Sequence, residues 1–212
     1  MGAESASCRC ESCSHLDLFG AMNGSIRDRI IHVAHERFYR VGFHSVGLDA
    51  ILTDVGVTKT TFYHHFESKD DLVRAVLDWH DRWWQDTFRG MLRRYGGESG
   101  RGQLLAVPDV LNELFCGDDF NGCFFVNVAV QFPQPHDPAH EAAAAHKLAM
   151  EGIIRELAGY AGAADALSFA QEMSLILEGA YVTRQVTRNP ETAEIARRLV
   201  NLLVEERIPS RK

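Results

Sequence analysis

The segment Thr58-Lys-Thr-Thr-Phe-Tyr-His-His-Phe66 concentrates side chains suited to holding a polyanion. Thr58, Lys59, Thr60 and Thr61 put hydroxyls and an ammonium at the start of a short helix, where backbone N–H groups also face outward and favour a phosphate. Tyr63 adds a phenol able to reach a phosphate, and His64 an imidazole able to touch a base edge. The 212-residue chain has only four lysines, and two of them, Lys59 and Lys69, frame this helix. Phe62 and Phe66, four apart, share the opposite face and read as core. A second cluster is Cys8-Arg-Cys-Glu-Ser-Cys-Ser-His15. Its three thiols and one imidazole suit a soft metal such as Zn(II) or Cu(I), although only Cys10 and Cys13 have a common ligand spacing. An unstructured leader over residues 1–24 is the simpler reading of the same residues.

These side chains need a scaffold, and the pattern around them is helical. From Ile26 the apolar residues Ile30, Val33, Ala34, Phe38 and Val41 fall at helical spacing, and Gly42 follows as a stop. Ser45 is a suitable N-cap for a short helix over 46–54, Gly56 turns the chain, and Thr58 caps another short helix through about His65. A helix, a short helix, a tight turn and a second short helix with one polar face make the helix-turn-helix pattern, whose second helix enters the major groove of DNA. Ser68 to Asp71 has the form of a capping box and opens a long amphipathic stretch to about Tyr95. A flexible glycine-rich linker over 96–102 precedes further helical segments at about 103–116, 121–132, 138–160, 164–188 and 191–207. The run 124–130 is β-prone but sits between helices and reads as a buried helix. The expected fold is all-α.

Charge narrows the function. Lys and Arg number 22 against 29 Asp and Glu, a net charge of −7, and residues 25–72 alone hold six basic and seven acidic groups. A global field attracting any polyanion is absent, so DNA binding must come from local arrangement. No apolar run reaches the ~18–20 residues that cross a bilayer, and no basic-then-apolar start marks export. The reading is a cytoplasmic protein without a membrane partner. Five cysteines without an export signal argue against a disulfide framework. No nucleophile–base pair, phosphate loop or paired-histidine metal motif stands out, and His136, Asp137 and His140 form too slight a constellation. Neither an enzyme nor a cofactor is expected.

Residues 26–72 resemble the DNA-binding domain of the TetR family of bacterial transcriptional regulators. The resemblance lies in the stretch Gly56-Val-Thr-Lys-Thr-Thr-Phe-Tyr-His-His-Phe-Glu-Ser-Lys-Asp-Asp-Leu72, and in the first helix with its aromatic-after-glycine ending at Phe43. Leu52 departs from it, standing where the family usually has alanine. The resemblance implies that Ser45, Thr58, Thr61, Tyr63 and Lys69 contact phosphates, and that Lys59, Thr60 and His64 reach base edges. It implies a DNA-binding domain over 25–72, followed over 73–212 by a helical domain that binds a small effector and dimerises. The implied partners are double-stranded operator DNA, an effector and a second copy of the chain. The implied function is a repressor released from its operator by the effector.

The C-terminal residues suit those roles. Leu177, Tyr181, Leu199 and Leu203 lie on helical stripes that could pair two chains as a four-helix bundle through residues 164–207. Trp79, Trp83, Phe88 and Phe124 are candidate apolar walls of an effector pocket, with Met150 and Met173 completing them. His80, Asn127 and Gln131 are candidate polar anchors. Together they point to an apolar or aromatic effector. An alternative is a metal- or redox-responsive regulator using the N-terminal cysteine cluster or Cys123.

Overall fold

The structure, a computed structural model, describes residues 24–117 and 120–208. Ser25 starts the first helix, α1 (Ile26–Val41), through a reciprocal capping box with Asp28, and Gly42 ends it. Next come α2 (Leu48–Val55) and α3 (Lys59–Tyr63), then the long α4 (Lys69–Gly96), which Ser68 caps at Asp71 N. Six more follow: α5 (Gly100–Leu105), α6 (Val107–Cys116), α7 (Phe124–Gln131), α8 (Pro138–Tyr160), α9 (Ala166–Thr187) and α10 (Thr192–Arg207). Among the described residues there is no strand, and the fold is all-α, as expected.

Three local expectations need correction. Ser45 does not cap α2; the cap position is Gly47, without a side-chain bond. The segment 103–116 is two helices broken at Ala106, because Pro108 in the first turn of α6 lacks the N–H that would continue the ladder of α5. The glycines of 96–102 are a packing device and not a loose linker. Gly96 and Gly102 meet backbone to backbone, so that a side chain on either would collide with the other's main chain.

Apolar residues gather in two cores joined by α4. The first holds α1, α2 and α3 around Phe38, Phe43, Phe62 and Leu72. It also takes Phe124, Phe125 and Val128 from α7 and Ala139 and Ala143 from α8, so its packing reaches well past residue 72. The second is built from α5, α6, α8, α9, α10 and the far half of α4, around Phe88, Leu92, Leu111, Phe169 and Val200. Each such side chain contributes about 1.5–3 kcal/mol by leaving water. Leu72 to Leu77 sit in one core and Trp84 to Leu92 in the other, so α4 is a rod anchored at both ends. No helix of the described residues is long and apolar enough to cross a membrane.

Candidate nucleic-acid interface and internal cavity

Gly56, left-handed at φ +74°, turns α2 into α3. Thr58 then caps α3, its Oγ1 accepting from Thr61 N at 3.2 Å and lying 3.0 Å from Thr61 Oγ1. Phe62 and Phe66 stack on each other inside the first core, as their spacing predicts. With those two buried, the other side of α3 faces water. Lys59, Thr60 and Tyr63 are exposed, Tyr63 to 58%, and His64 is exposed just beyond the last helical residue. Thr58 and Ser45 are exposed as well, while Thr61 is half-buried.

Five of the six cations of residues 25–72 are engaged within the protein. Lys59 Nζ pairs with Asp49 Oδ1 at 2.8 Å, and that carboxylate raises the lysine's pKa. Lys69, expected to hold a phosphate, instead donates to Phe43 O at 2.7 Å and lies over the Phe38 ring. Burial lowers its pKa. It acts as a strut between the start of α4 and the turn after α1. Arg29 donates to Val55 O at 2.8 Å, Arg37 pairs with Asp54, and Arg27 covers the Phe66 ring. A domain with nearly balanced charge supplies its own acceptors.

Aromatic side chains from both cores line a narrow, partly open cavity of about 40 Å³. Helix α1 contributes His35 and Tyr39, α4 contributes His80, Trp83 and Trp84, α7 contributes Phe124 and Phe125, and His146 and Tyr181 come from α8 and α9. A wider outer cavity of about 270 Å³ adjoins it, sharing Trp84, Cys123, His146 and Tyr181 and adding Phe88, Lys147, Met150 and Glu178. Of the expected pocket residues, His80, Trp83 and Phe124 line the inner cavity, and Phe88 and Met150 the outer one.

Four expected residues lie elsewhere. Trp79 lines neither cavity and stacks on Trp83 with ring centres 5.8 Å apart. Met173 is wholly buried in the second core. Asn127 and Gln131 spend their amides on structure. Asn127 Nδ2 donates to Asn121 O and its Oδ1 accepts from Gln185, while Gln131 Oε1 accepts from Phe43 N. Conversely, His35, Tyr39, His146, Lys147 and Tyr181 line the cavities without having been expected there. The readable signal was the spacing of His35 and Tyr39, four apart on a helix otherwise apolar on that side.

Hydrogen bonds hold His146 and Lys147 in place. His146 Nδ1 lies 2.6 Å from Asp81 Oδ1, and its ring stacks on Phe125 at 3.9 Å. Burial pushes its pKa down to about 4 against the opposing pull of Asp81. Lys147 Nζ donates to Glu178 Oε1 at 2.5 Å and to Cys123 Sγ at 3.2 Å. Burial raises the pKa of the Tyr181 phenol. Cys8, Cys10, Cys13 and His15 lie outside the described residues. Among the described residues, no group of three or more His, Cys, Asp or Glu is disposed to hold a metal.

The last two helices also differ from expectation. Leu177 and Tyr181 turn inward, to the core and the cavity, and Leu203 is half-buried. Outward-facing apolar residues are Leu175, Val182 and Val186 on α9 and Ile195, Leu199 and Leu202 on α10. Leu175, Gly179, Ile195 and Leu199 border a groove between the two helices.

Two family models match the chain, one described as bacterial regulatory proteins of the tetR family over residues 30–76, the other as a tetracyclin repressor-like C-terminal domain over 103–200. Among curated proteins, the HTH-type transcriptional regulator UidR of Escherichia coli is 41% identical over 51 residues, 24% of this chain. The HTH-type transcriptional activator FasR of Mycolicibacterium smegmatis is 41% identical over 54 residues, 26% of this chain. The matches span about a quarter of those relatives' lengths (26% and 25%). A solved TetR-family transcriptional regulator from Streptomyces coelicolor is similar throughout: 30% identity, 85% of this chain and 95% of that one, and a TM-score of 0.76. A putative TetR regulator from Streptomyces avermitilis follows at 26% identity, 87% and 98% coverage and a TM-score of 0.75. With the helix-turn-helix at one end and the helical bundle at the other, the chain belongs to the TetR family of transcriptional regulators.

Proposed function

We propose that this chain works as a homodimer that represses transcription by binding operator DNA through α3, and that an apolar or aromatic effector in the aromatic cavity releases it. Residues 25–72 are the DNA-binding unit in this reading, and 73–212 bind the effector and dimerise. The observation that carries it is the division of α3: Phe62 and Phe66 are buried while Thr60, Tyr63 and His64 face water together. Side chains able to meet phosphates and base edges then project from a rigidly seated helix, as a recognition helix requires. Ser45, Thr58 and Tyr63 are the phosphate contacts, and Lys59, Thr60 and His64 the base readers.

The exposed apolar face of α9 and α10 supports the dimeric part of this reading. Leu175 is 75% exposed and Leu202 63% exposed, and the small Gly179 between them allows close helix approach. Pairing two copies there makes a four-helix bundle about a two-fold axis. The effector site is supported by a cavity that rings from α1, α4, α7, α8 and α9 line together, so an occupant touches the elements that carry α3. Purified protein incubated with genomic fragments should retain DNA carrying a two-fold-symmetric sequence, identified by sequencing. Retention of no fragment above background removes the reading.

A further inference from the structure

We propose that Asp49 sets the sequence selectivity of this chain by holding Lys59 until a base acceptor replaces it. The inference rests on the DNA-binding reading and adds a residue to it. Asp49 lies in the first turn of α2, and its Oδ1 is 2.8 Å from Lys59 Nζ, across the turn between the helices. The two side chains are 74% and 62% exposed. Pairs this wet add little to folding stability, so the fold does not depend on the contact. What it alters is what α3 presents to DNA.

Lys59 is the first residue of α3, at the end of a recognition helix that meets base edges. While the carboxylate holds it, α3 offers a neutral pair instead of a free cation. Random duplex gives the ammonium chiefly phosphate oxygens, which carry no sequence information. Taking one means giving up Asp49 and leaving that carboxylate facing a polyanion. A guanine at the read position presents O6 and N7 together, a paired acceptor that an ammonium favours. The exchange is therefore selective for the sequence that supplies it. Arg37 on Asp54 keeps the neighbouring phosphate attraction low, so that one exchange is not swamped.

The test uses the full chain with Asp49→Asn, Lys59→Gln and the double variant, each checked for native helicity and melting. Affinity is measured for a pool of short random-sequence duplexes and for a duplex that the wild type itself selects from that pool. Asp49→Asn should bind the random pool several-fold more tightly and steepen its salt dependence by about one phosphate contact, a change of roughly 0.9 in the log–log slope. The selected duplex should gain less, so the ratio between the two falls. In the Lys59→Gln background the same change only removes a carboxylate that repels DNA, so both duplexes should gain alike and by less, and the ratio between them should not move. Unchanged binding to the random pool, or an equal gain with and without Lys59, overturns the proposal while the DNA-binding reading stands. A wild type that selects no duplex overturns both.

Discussion

Gln131 Oε1 accepts the backbone N–H of Phe43 at 2.7 Å, which ties the last turn of α7 to the chain just after α1. His44 Nε2 reinforces the tie, lying 2.8 Å from Gln131 O. The other end of α7 is fastened too. Tyr39 donates its hydroxyl to Gly122 O at 3.0 Å and accepts from Asn121 N at 2.8 Å. Between these clamps, Phe124 and Phe125 line the inner cavity. The 28-residue α4, about 42 Å long at 1.5 Å per residue, is therefore not alone in linking the cavity to the helix-turn-helix. Helix α7 is a second link.

Removing that tie has a measurable cost. Gln131→Ala leaves the N–H of Phe43 without its acceptor in a half-buried place, which should lower unfolding free energy by about 1–3 kcal/mol. Urea denaturation with an unchanged m-value reads it directly. Wild-type stability in this variant would mean that α7 and α1 are not joined through this bond.

Lys69 and Tyr63 should behave differently from each other. Tyr63→Ala should weaken binding to all duplexes and flatten the salt dependence, because a phosphate contact is lost. Lys69→Ala removes the strut to Phe43 O and should cost about 1–2 kcal/mol of stability while leaving the salt slope near wild type. A flattened slope in Lys69→Ala without loss of stability would return that lysine to the DNA.

The pH dependence of stability should carry the mark of His146. Its folded pKa of about 4 lies below the ordinary 6.5, so the unfolded chain binds a proton there that the folded chain refuses. The resulting contribution, about 3 kcal/mol, is complete above about pH 6.5 and is lost as pH falls towards 4. His146→Gln keeps a donor for Asp81 but cannot titrate, and should remove most of that slope. Equal slopes in both proteins would show that the acid sensitivity resides elsewhere.

Leu199→Glu and Leu202→Glu should separate the protomers. Both leucines are exposed in the single chain, so a glutamate there leaves each protomer folded but would be buried uncompensated in the dimer. Sedimentation at micromolar concentration should show a shift to monomer with poor operator binding. A native protein already monomeric at that concentration contradicts the pairing of α9 and α10.

The long helices were legible because burial imposes a period on Ile30, Val33, Ala34 and Phe38 that loops do not keep. The motif from Gly56 to Phe66 was legible for the same reason, with turn, cap and core spaced as the geometry demands. Helix ends were less so: Ser45 looks like a cap, yet Gly47 takes the position because α2 begins two residues later. Direction within the bundle was hidden as well. Leu177 and Tyr181 share a stripe that suits a dimer seam or an inner core equally, and in the bundle both turn inward, to the core and the cavity. Asn127 and Gln131 suggest ligand anchors because polar groups near a pocket invite it, and Lys69 suggests a phosphate contact through the family resemblance. Their partners are main-chain and side-chain groups up to 88 residues distant in sequence, which no local pattern reveals.

Whether a dimer reads DNA through α3 is decided by selecting duplexes from a random-sequence pool with the wild type and with Tyr63→Ala. The wild type should enrich a two-fold-symmetric site, its half-sites separated by about one helical turn (roughly 10 base pairs) or a multiple of it. Tyr63→Ala should enrich the same site much more weakly. Enrichment of no sequence by the folded wild type, or equal enrichment by the variant, would contradict reading through α3.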